Sequence, residues 1–145
     1  MASPRRWLYG SLMRTVIGAI LAASLAASAA SAAADAATAD ALGWVKLIDS
    51  GRYAESWAGT GGLFRASVTQ DAWAQKVAAV RKPLGAVTRR TFANKQEATS
   101  LPGAPDGHYE ILQFNTVFAN KAAAVETVVL SHEPGGWRVD GYFIR

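Results

Sequence analysis

The last third of the chain alternates apolar and polar residues in three successive runs. These runs are 108–118 (HYEILQFNTVF), 122–131 (AAAVETVVLS) and 137–144 (WRVDGYFI). Strict alternation is typical of strands with one buried face, and Pro134-Gly135-Gly136 is a turn signal between the last two. The pattern predicts a β-meander. We expect one further strand at 86–93, followed by a polar stretch at 94–100 and a stiff loop at 101–107.

Upstream of these strands the apolar residues follow the spacing of helices. In 41–50 and 70–81 they recur every three or four positions, and Thr69 is a candidate N-cap for the second of these helices. A short helix at 53–58 is expected to break at the glycines of 59–62. About three helices followed by four strands predict an α+β fold, in which the helices pack on one face of a curved antiparallel sheet.

The first 34 residues have the features of a secretory signal peptide. Three arginines precede an apolar run at 15–25, and small residues at 27–34 offer cleavage sites. The apolar run is about half the roughly 20 residues that a transmembrane helix requires. We therefore predict a signal peptide over 1–34 that is cleaved between Ala29 and Ala34. The mature chain, 35–145, is expected to be a single exported domain, periplasmic or extracellular, without a permanent membrane span.

Removal of the signal peptide changes the net charge. The chain has 15 Lys and Arg against 11 Asp and Glu, but the predicted mature domain has 12 against 11. Nucleic-acid binding requires a dense cationic surface, so we expect no nucleic-acid partner. The run 81–95 has five basic residues and no acidic one, which is typical of a solvated strand edge.

The chain has no Cys, so the domain must depend on its hydrophobic core.

Five segments carry a resemblance to a bacterial family. They are DSGRYAESW (49–57), WAQKVAAVRKPLG (73–85), LPGAPDGHYEILQF (101–114), AVETVVL (124–130) and GWRVDGYFIR (136–145). Over nearly the whole mature chain the sequence resembles the family called domain of unknown function 4019, which implies no particular activity. The order of elements more loosely resembles the nuclear transport factor two-like (cystatin-like) superfamily. That resemblance implies a cone with a cavity between helices and sheet, and the superfamily includes both enzymes and binding modules.

Few residues suggest catalysis or a cofactor. There is no Cys nucleophile, and the glycines of 59–62 lack the spacing and the lysine of a phosphate loop. His108 and His132 are expected to lie close together at the ends of neighbouring strands, but a third metal ligand with suitable spacing is missing. We therefore expect no catalytic residue, no metal and no cofactor.

Several polar and aromatic side chains are candidates for the lining of a cavity. They are Tyr53, Trp57, Arg90, Tyr109, Gln113, Glu126 and Asp140. Six aromatic residues are expected in the core rather than in a ligand-stacking box: Tyr53, Trp57, Trp73, Tyr109, Trp137 and Phe143. Glu126 lies on an apolar strand face, which makes it the main candidate for an inward carboxylate, and Asp140 is the next. Such a carboxylate is either a general base or half of a structural ion pair. Because Arg89 and Arg90 point to opposite sides of their strand, one of them can reach Glu126, and we favour the ion pair.

The second strand of the meander is apolar on both faces. We expect its second face to meet a partner subunit or to line a concavity, since an exposed apolar face is a liability. The sequence thus favours a non-catalytic domain that binds a small apolar ligand or a protein partner in the cell envelope. A homodimer formed through the sheet is one such arrangement. The alternative is a small cofactor-independent isomerase or hydrolase that uses Glu126 or Asp140.

Overall fold

The computed structural model describes residues 36–145, which form four α-helices followed by one sheet. The helices are α1 (36–49), α2 (Tyr53–Ala58), α3 (Gly62–Ser67) and α4 (Gln70–Arg81), with a 3-10 turn at Lys82–Leu84. The strands are β1 (Val87–Ala98), β2 (Tyr109–Phe118), β3 (Lys121–Glu133) and β4 (Gly136–Ile144). They form an antiparallel sheet in the order β1-β2-β3-β4, which confirms the predicted α+β class. The predicted signal peptide, 1–34, lies outside the described residues.

The ends of α1 and α4 bring two charged residues to the sheet. Thr69 caps α4 as predicted, because its hydroxyl accepts a hydrogen bond from the Ala72 N–H (3.3 Å). Gly51 follows α1 with a φ of 72°, a conformation that glycine adopts without strain. The last residues of α1 and α4 are Asp49 and Arg81, and both belong to the polar cluster described below.

Within 36–145, no helix has the length and apolarity needed to cross a membrane.

Helix α3 was not predicted, so the expected count of about three helices was wrong. The predicted break at the glycines is present, because segment 59–61 forms a parallel bridge with Val139 of β4. The chain then re-enters a helix at Gly62, whose N–H donates to a carboxylate oxygen of Glu133 (3.0 Å). The first N–H groups of a helix have no partner inside it, and here a residue 71 positions away accepts the hydrogen bond from one of them.

Strand β1 extends beyond the predicted strand at 86–93. The polar residues that follow continue it because they pair with β2, from Asn94 opposite Gln113 to Ala98 opposite Tyr109. β1 is an edge strand and most of its residues are exposed, so the alternation that marks a half-buried strand is missing there. Its length is set by pairing rather than by a hydrophobic pattern.

Buried side chains from helices and sheet form one hydrophobic core. Its members are Ala37, Ala41, Trp44, Val45, Ile48, Trp73, Val77, Leu112, Phe114, Val128, Leu130, Trp137 and Val139. We call the sheet face that carries Phe114 and Val128 the inner face, and the opposite face, with Gln113 and Val129, the outer face. Glu126 lies two residues from Val128 and therefore also on the inner face.

Candidate functional site

The most polar group in the protein interior is centred on Glu126, which is fully buried on β3. Arg90 of β1 donates from Nε to Oε1 (2.7 Å) and from Nη2 to Oε2 (3.2 Å). The hydroxyl of Thr116 donates to Oε1, and that of Tyr142 donates to Oε2. Each carboxylate oxygen therefore accepts one hydrogen bond from a guanidinium and one from a hydroxyl. The predicted ion pair between Glu126 and an arginine of β1 is confirmed, and Arg90 is that arginine.

A second carboxylate, Asp49 of α1, extends this network. Arg90 donates to both of its oxygens, at 2.8 and 2.9 Å. Arg81 donates from Nη1 to Asp49 Oδ1 (3.0 Å) and to the Tyr142 hydroxyl (3.3 Å), and its guanidinium carbon lies 4.8 Å from the centre of the Phe118 ring. Two positive and two negative side chains thus compensate one another. We call Asp49, Arg81, Arg90, Thr116, Glu126 and Tyr142 the Glu126 cluster.

The surroundings of Asp49 and Tyr142 shift the pKa of each side chain. Burial opposes the ionisation of Asp49, but the hydrogen bonds and charges of Arg90 and Arg81 outweigh it and hold the pKa of Asp49 below its usual value. Burial, followed by the charge of Glu126 and the hydrogen bond to it, raises the pKa of Tyr142 above its usual range. At neutral pH Asp49 is therefore ionised and Tyr142 is a neutral donor. These states suit an ion-pair network better than proton transfer.

Asp140, the other candidate carboxylate, has different surroundings. It lines a groove of about 390 Å³ and a second of about 340 Å³, and Tyr109 lines both of them as well. Burial raises the pKa of Asp140; a hydrogen bond with Ser131 acts in the opposite direction, and the charge of Glu133 adds to the increase. Within 36–145, Asp140 forms no ion pair. The Tyr109 hydroxyl donates to the carbonyl of Pro105.

The structure does not gather all seven cavity candidates in one place. Arg90 and Glu126 meet in the Glu126 cluster, whereas Tyr109 and Asp140 line the same two grooves. Gln113 lies on the outer face, where its amide nitrogen is 3.5 Å from the Thr127 hydroxyl.

The two remaining candidates belong to α2 and pack against the hydrophobic core. Tyr53 and Trp57 are both partly buried there. The indole N–H of Trp57 donates to the carbonyl of Val68 (2.7 Å), which ties α2 to the end of α3. Their packing agrees with the expectation that these aromatic residues belong to the core.

The two histidines lie together as predicted. The N–H of His132 donates to the carbonyl of His108 (2.9 Å), and both rings meet the Trp137 ring edge-on, at centroid distances of 5.0 and 5.3 Å. Within the described residues, no group of three or more metal-ligating side chains includes them.

A family model matches most of the chain. The family described as protein of unknown function (DUF4019) matches residues 40–142. This chain belongs to the DUF4019 family. The match confirms the family resemblance and extends from α1 into β4, so it includes every member of the Glu126 cluster. No curated protein and no solved structure matches the chain significantly. The looser resemblance to nuclear transport factor two-like proteins stays a prediction.

Sequence reasoning missed four members of the Glu126 cluster in this DUF4019 chain. Asp49 and Arg81 stand at helix ends, where charged residues are usually solvated, and their separation of 32 positions hides the contact. Thr116 could have been found, because it shares the inner face with Phe114, two residues away. Tyr142 could not, because an irregularity in β4 changes the face on which it lies.

Glu110 of β2 is a further buried carboxylate, and it lies outside the Glu126 cluster. It is only 2 % exposed, and its Oε2 has no hydrogen-bond partner within the described residues. Burial raises the pKa of Glu110; the nearby charge of Lys95 acts in the opposite direction, and that of Glu97, directly opposite on β1, adds to the increase. The folded protein therefore favours the protonated form of Glu110.

Glu110 should make the protein less stable as the pH rises. Its pKa is higher in the folded state than in the unfolded chain, so its contribution is fully present below about pH 4.3 and is lost as the pH rises through the folded pKa. We expect Glu110→Gln to remove this loss and to be more stable than the wild type at pH 8 by about 1 kcal/mol. Urea unfolding at several pH values between 4 and 8 measures the free energy of unfolding of the wild type and the variant, and with it the pH dependence of each. Asp106→Asn is the matched control because it removes an exposed carboxylate, and an equal effect of both substitutions would contradict the prediction.

Proposed function

We propose that this DUF4019 chain is an exported, non-catalytic domain that binds a protein partner through an apolar surface around Phe143 of β4. The supporting observation is the exposure of large apolar side chains. Phe143 was expected in the core, but it is 60 % exposed, and Leu63 of α3 and Val80 of α4 are also exposed. Clustered exposed apolar residues are typical of interaction sites in soluble proteins.

Phe143 lines two grooves on this surface. The first, of about 390 Å³, lies between α3 and the loop 101–104, and the second, of about 350 Å³, lies between α4 and the end of β4. The apolar side chains that line them are Leu63, Phe64, Leu101, Pro102, Val129, Trp73, Val77, Val80 and Ile144. We call these grooves together with Phe143 the Phe143 surface. Each groove can accept a large apolar side chain from a partner.

The position of β4 also favours a polypeptide ligand. β4 is an edge strand, and among the described elements it pairs only with β3 and, at Val139, with segment 59–61. An extended partner segment can add to such an edge through backbone hydrogen bonds while its side chains enter neighbouring pockets. Both grooves are open to solvent, so side chains of an extended partner segment can enter them directly.

The two candidate carboxylates favour binding over an isomerase or hydrolase. Both oxygens of Glu126 are occupied by hydrogen bonds from Arg90, Thr116 and Tyr142, which leaves no lone pair directed at a substrate. Asp140 lies beside a second carboxylate, that of Glu133, and the Tyr109 hydroxyl in the same groove donates to a backbone carbonyl instead.

Native mass spectrometry of the protein purified from the envelope of its own cells tests this proposal. We expect a chain cleaved between Ala29 and Ala34 that carries a bound polypeptide, either another protein or a second copy. Phe143→Ser should remove the bound polypeptide. Phe92→Ser is the matched control, because Phe92 is 50 % exposed on β1 and lines neither groove, and it should retain the partner.

Other outcomes of this experiment would contradict specific parts of the proposal. A full-length, uncleaved chain would contradict export. A bound small molecule instead of a polypeptide would make the domain a ligand carrier. A chain with nothing bound, or a partner that survives Phe143→Ser, would exclude the Phe143 surface as the binding site.

A further inference from the structure

The outer face of the sheet carries a basin that shares no residue with the Phe143 surface. Its volume is about 420 Å³. It is lined by Arg89, Thr91, Asn115, Thr116, Val117, residues 122–125 and Arg145. We call it the Arg89–Arg145 basin.

Strand register brings these residues together from β1, β2 and β3 and from the residue that follows β4. Thr91 of β1 lies opposite Asn115 of β2, and Asn115 lies opposite Val125 of β3. Val125 in turn exchanges two backbone hydrogen bonds with Arg145, at 2.9 and 3.1 Å. Arg89 lies opposite Val117 in the neighbouring row. One arginine thus stands on β1 and the other beyond β4, with apolar residues between them.

The charge of this basin is unbalanced. No Asp or Glu side chain lines it, and neither Arg89 nor Arg145 forms an ion pair within residues 36–145. Arg90, the neighbour of Arg89 on β1, differs because Asp49 and Glu126 neutralise it on the inner face. Two guanidinium groups on the outer face are therefore left to bind an anion.

The rest of the lining restricts the kind of anion. Thr91 and Asn115 offer side-chain donors beside the arginines, whereas Val117, Val125 and the alanines at 122–123 form an apolar floor. A strongly hydrated ion such as inorganic phosphate would leave this floor exposed to water. A guanidinium binds a carboxylate through two parallel hydrogen bonds, and an attached hydrocarbon chain could cover the floor. The volume lies within the range of small-molecule sites, roughly 300–1,000 Å³.

We propose that the Arg89–Arg145 basin binds a small monocarboxylate with a short apolar chain. The long side chains of Arg89 and Arg145 reach the carboxylate from opposite sides, and the apolar chain lies over Val117 and Val125. Such a ligand also covers part of the outer face of β2. This is the second apolar face of the strand, for which the sequence predicts a partner subunit or a concavity. This site is separate from the Phe143 surface, so either can fail without the other.

Isothermal titration calorimetry with octanoate tests the site. The protein titrated is the form that is purified from its own cells. We expect octanoate to bind, with octan-1-ol and acetate each at least about tenfold weaker, since one lacks the charge and the other lacks the chain. Arg89→Ala and Arg145→Ala should each weaken octanoate binding about tenfold or more, and Arg89→Lys less. Circular dichroism of each variant checks that its fold is retained.

Arg138→Ala is the matched control, because it removes the same charge from β4 at a residue that does not line the basin. It should leave octanoate binding unchanged. The proposal is overturned if octanoate does not bind, if octan-1-ol binds equally well, or if Arg138→Ala weakens binding as much as Arg89→Ala. Tighter binding of octyl phosphate than of octanoate would replace the carboxylate by a phosphate monoester.

Discussion

Replacement of Glu126 by alanine should lower the free energy of unfolding by about 3–5 kcal/mol. The substitution removes the acceptor for Arg90 and for the hydroxyls of Thr116 and Tyr142, all three of which lie on the inner side of the sheet. Asp49 alone then balances the charges of Arg90 and Arg81. Urea denaturation at pH 7, followed by circular dichroism, measures the change.

The matched control for this prediction is Asp106→Ala, which removes an exposed carboxylate that forms no ion pair within residues 36–145. We expect it to change stability by no more than about 0.5 kcal/mol. Because Arg90 and Glu126 are in direct contact, the effects of Arg90→Ala and Glu126→Ala should not add in the double variant. If Glu126→Ala lowers stability by less than about 1 kcal/mol, Arg90 does not depend on Glu126 for charge compensation and the prediction is wrong.

Ser56→Ala should lower the free energy of unfolding by about 1–3 kcal/mol, although it removes a single oxygen. Ser56 of α2 is fully buried, and its hydroxyl accepts a hydrogen bond from the indole N–H of Trp73 (2.8 Å) while it donates to the carbonyl of Tyr53. Without that oxygen the Trp73 N–H is left buried and unpaired. Urea unfolding followed by circular dichroism measures the change without depending on Trp fluorescence.

A double-mutant cycle with Trp73→Phe isolates this hydrogen bond. Trp73→Phe removes the donor, so Ser56→Ala should cost much less in that background than in the wild type. Ser67→Ala is the control for the loss of a hydroxyl, because Ser67 is exposed and its hydroxyl donates to the Leu63 carbonyl within its own helix. Strictly additive effects of Ser56→Ala and Trp73→Phe would show that the hydrogen bond contributes nothing.

Elements with a buried face could be predicted from the sequence, because burial leaves a periodic pattern. The alternation in β2, β3 and β4 and the stripe of Trp73 and Val77 in α4 have this origin. The same alternation placed Glu126 on the inner face and favoured an ion pair with Arg89 or Arg90. β1 beyond Ala93 and the short helix α3 lack such a pattern, because both are largely exposed.

The irregularity in β4 shows why the candidate sites were harder to predict than the fold. Val139 lies opposite Leu130 and Gly141 lies opposite Val129, so Asp140 is an extra residue in the ladder. The alternation shifts by one position after it, since a one-residue slip exchanges the two faces of a strand. Tyr142 therefore reaches Glu126 on the inner face, and Phe143, expected in the core, is exposed on the other.

Some features of this protein are determined by its sequence alone, and others only by its tertiary structure. The α+β class, the meander, the cap of α4 and the inward carboxylate with its arginine follow from local patterns, because period and capping depend on neighbouring residues. The tertiary structure decides three other features. It decides which residues complete the Glu126 cluster, where the grooves beside Phe143 lie, and which arginines flank the Arg89–Arg145 basin. Arg81 lies 61 positions from Tyr142, and Arg90 lies 41 from Asp49. A periodic pattern shows which side of an element is buried, but only the packed chain shows which group lies across from it.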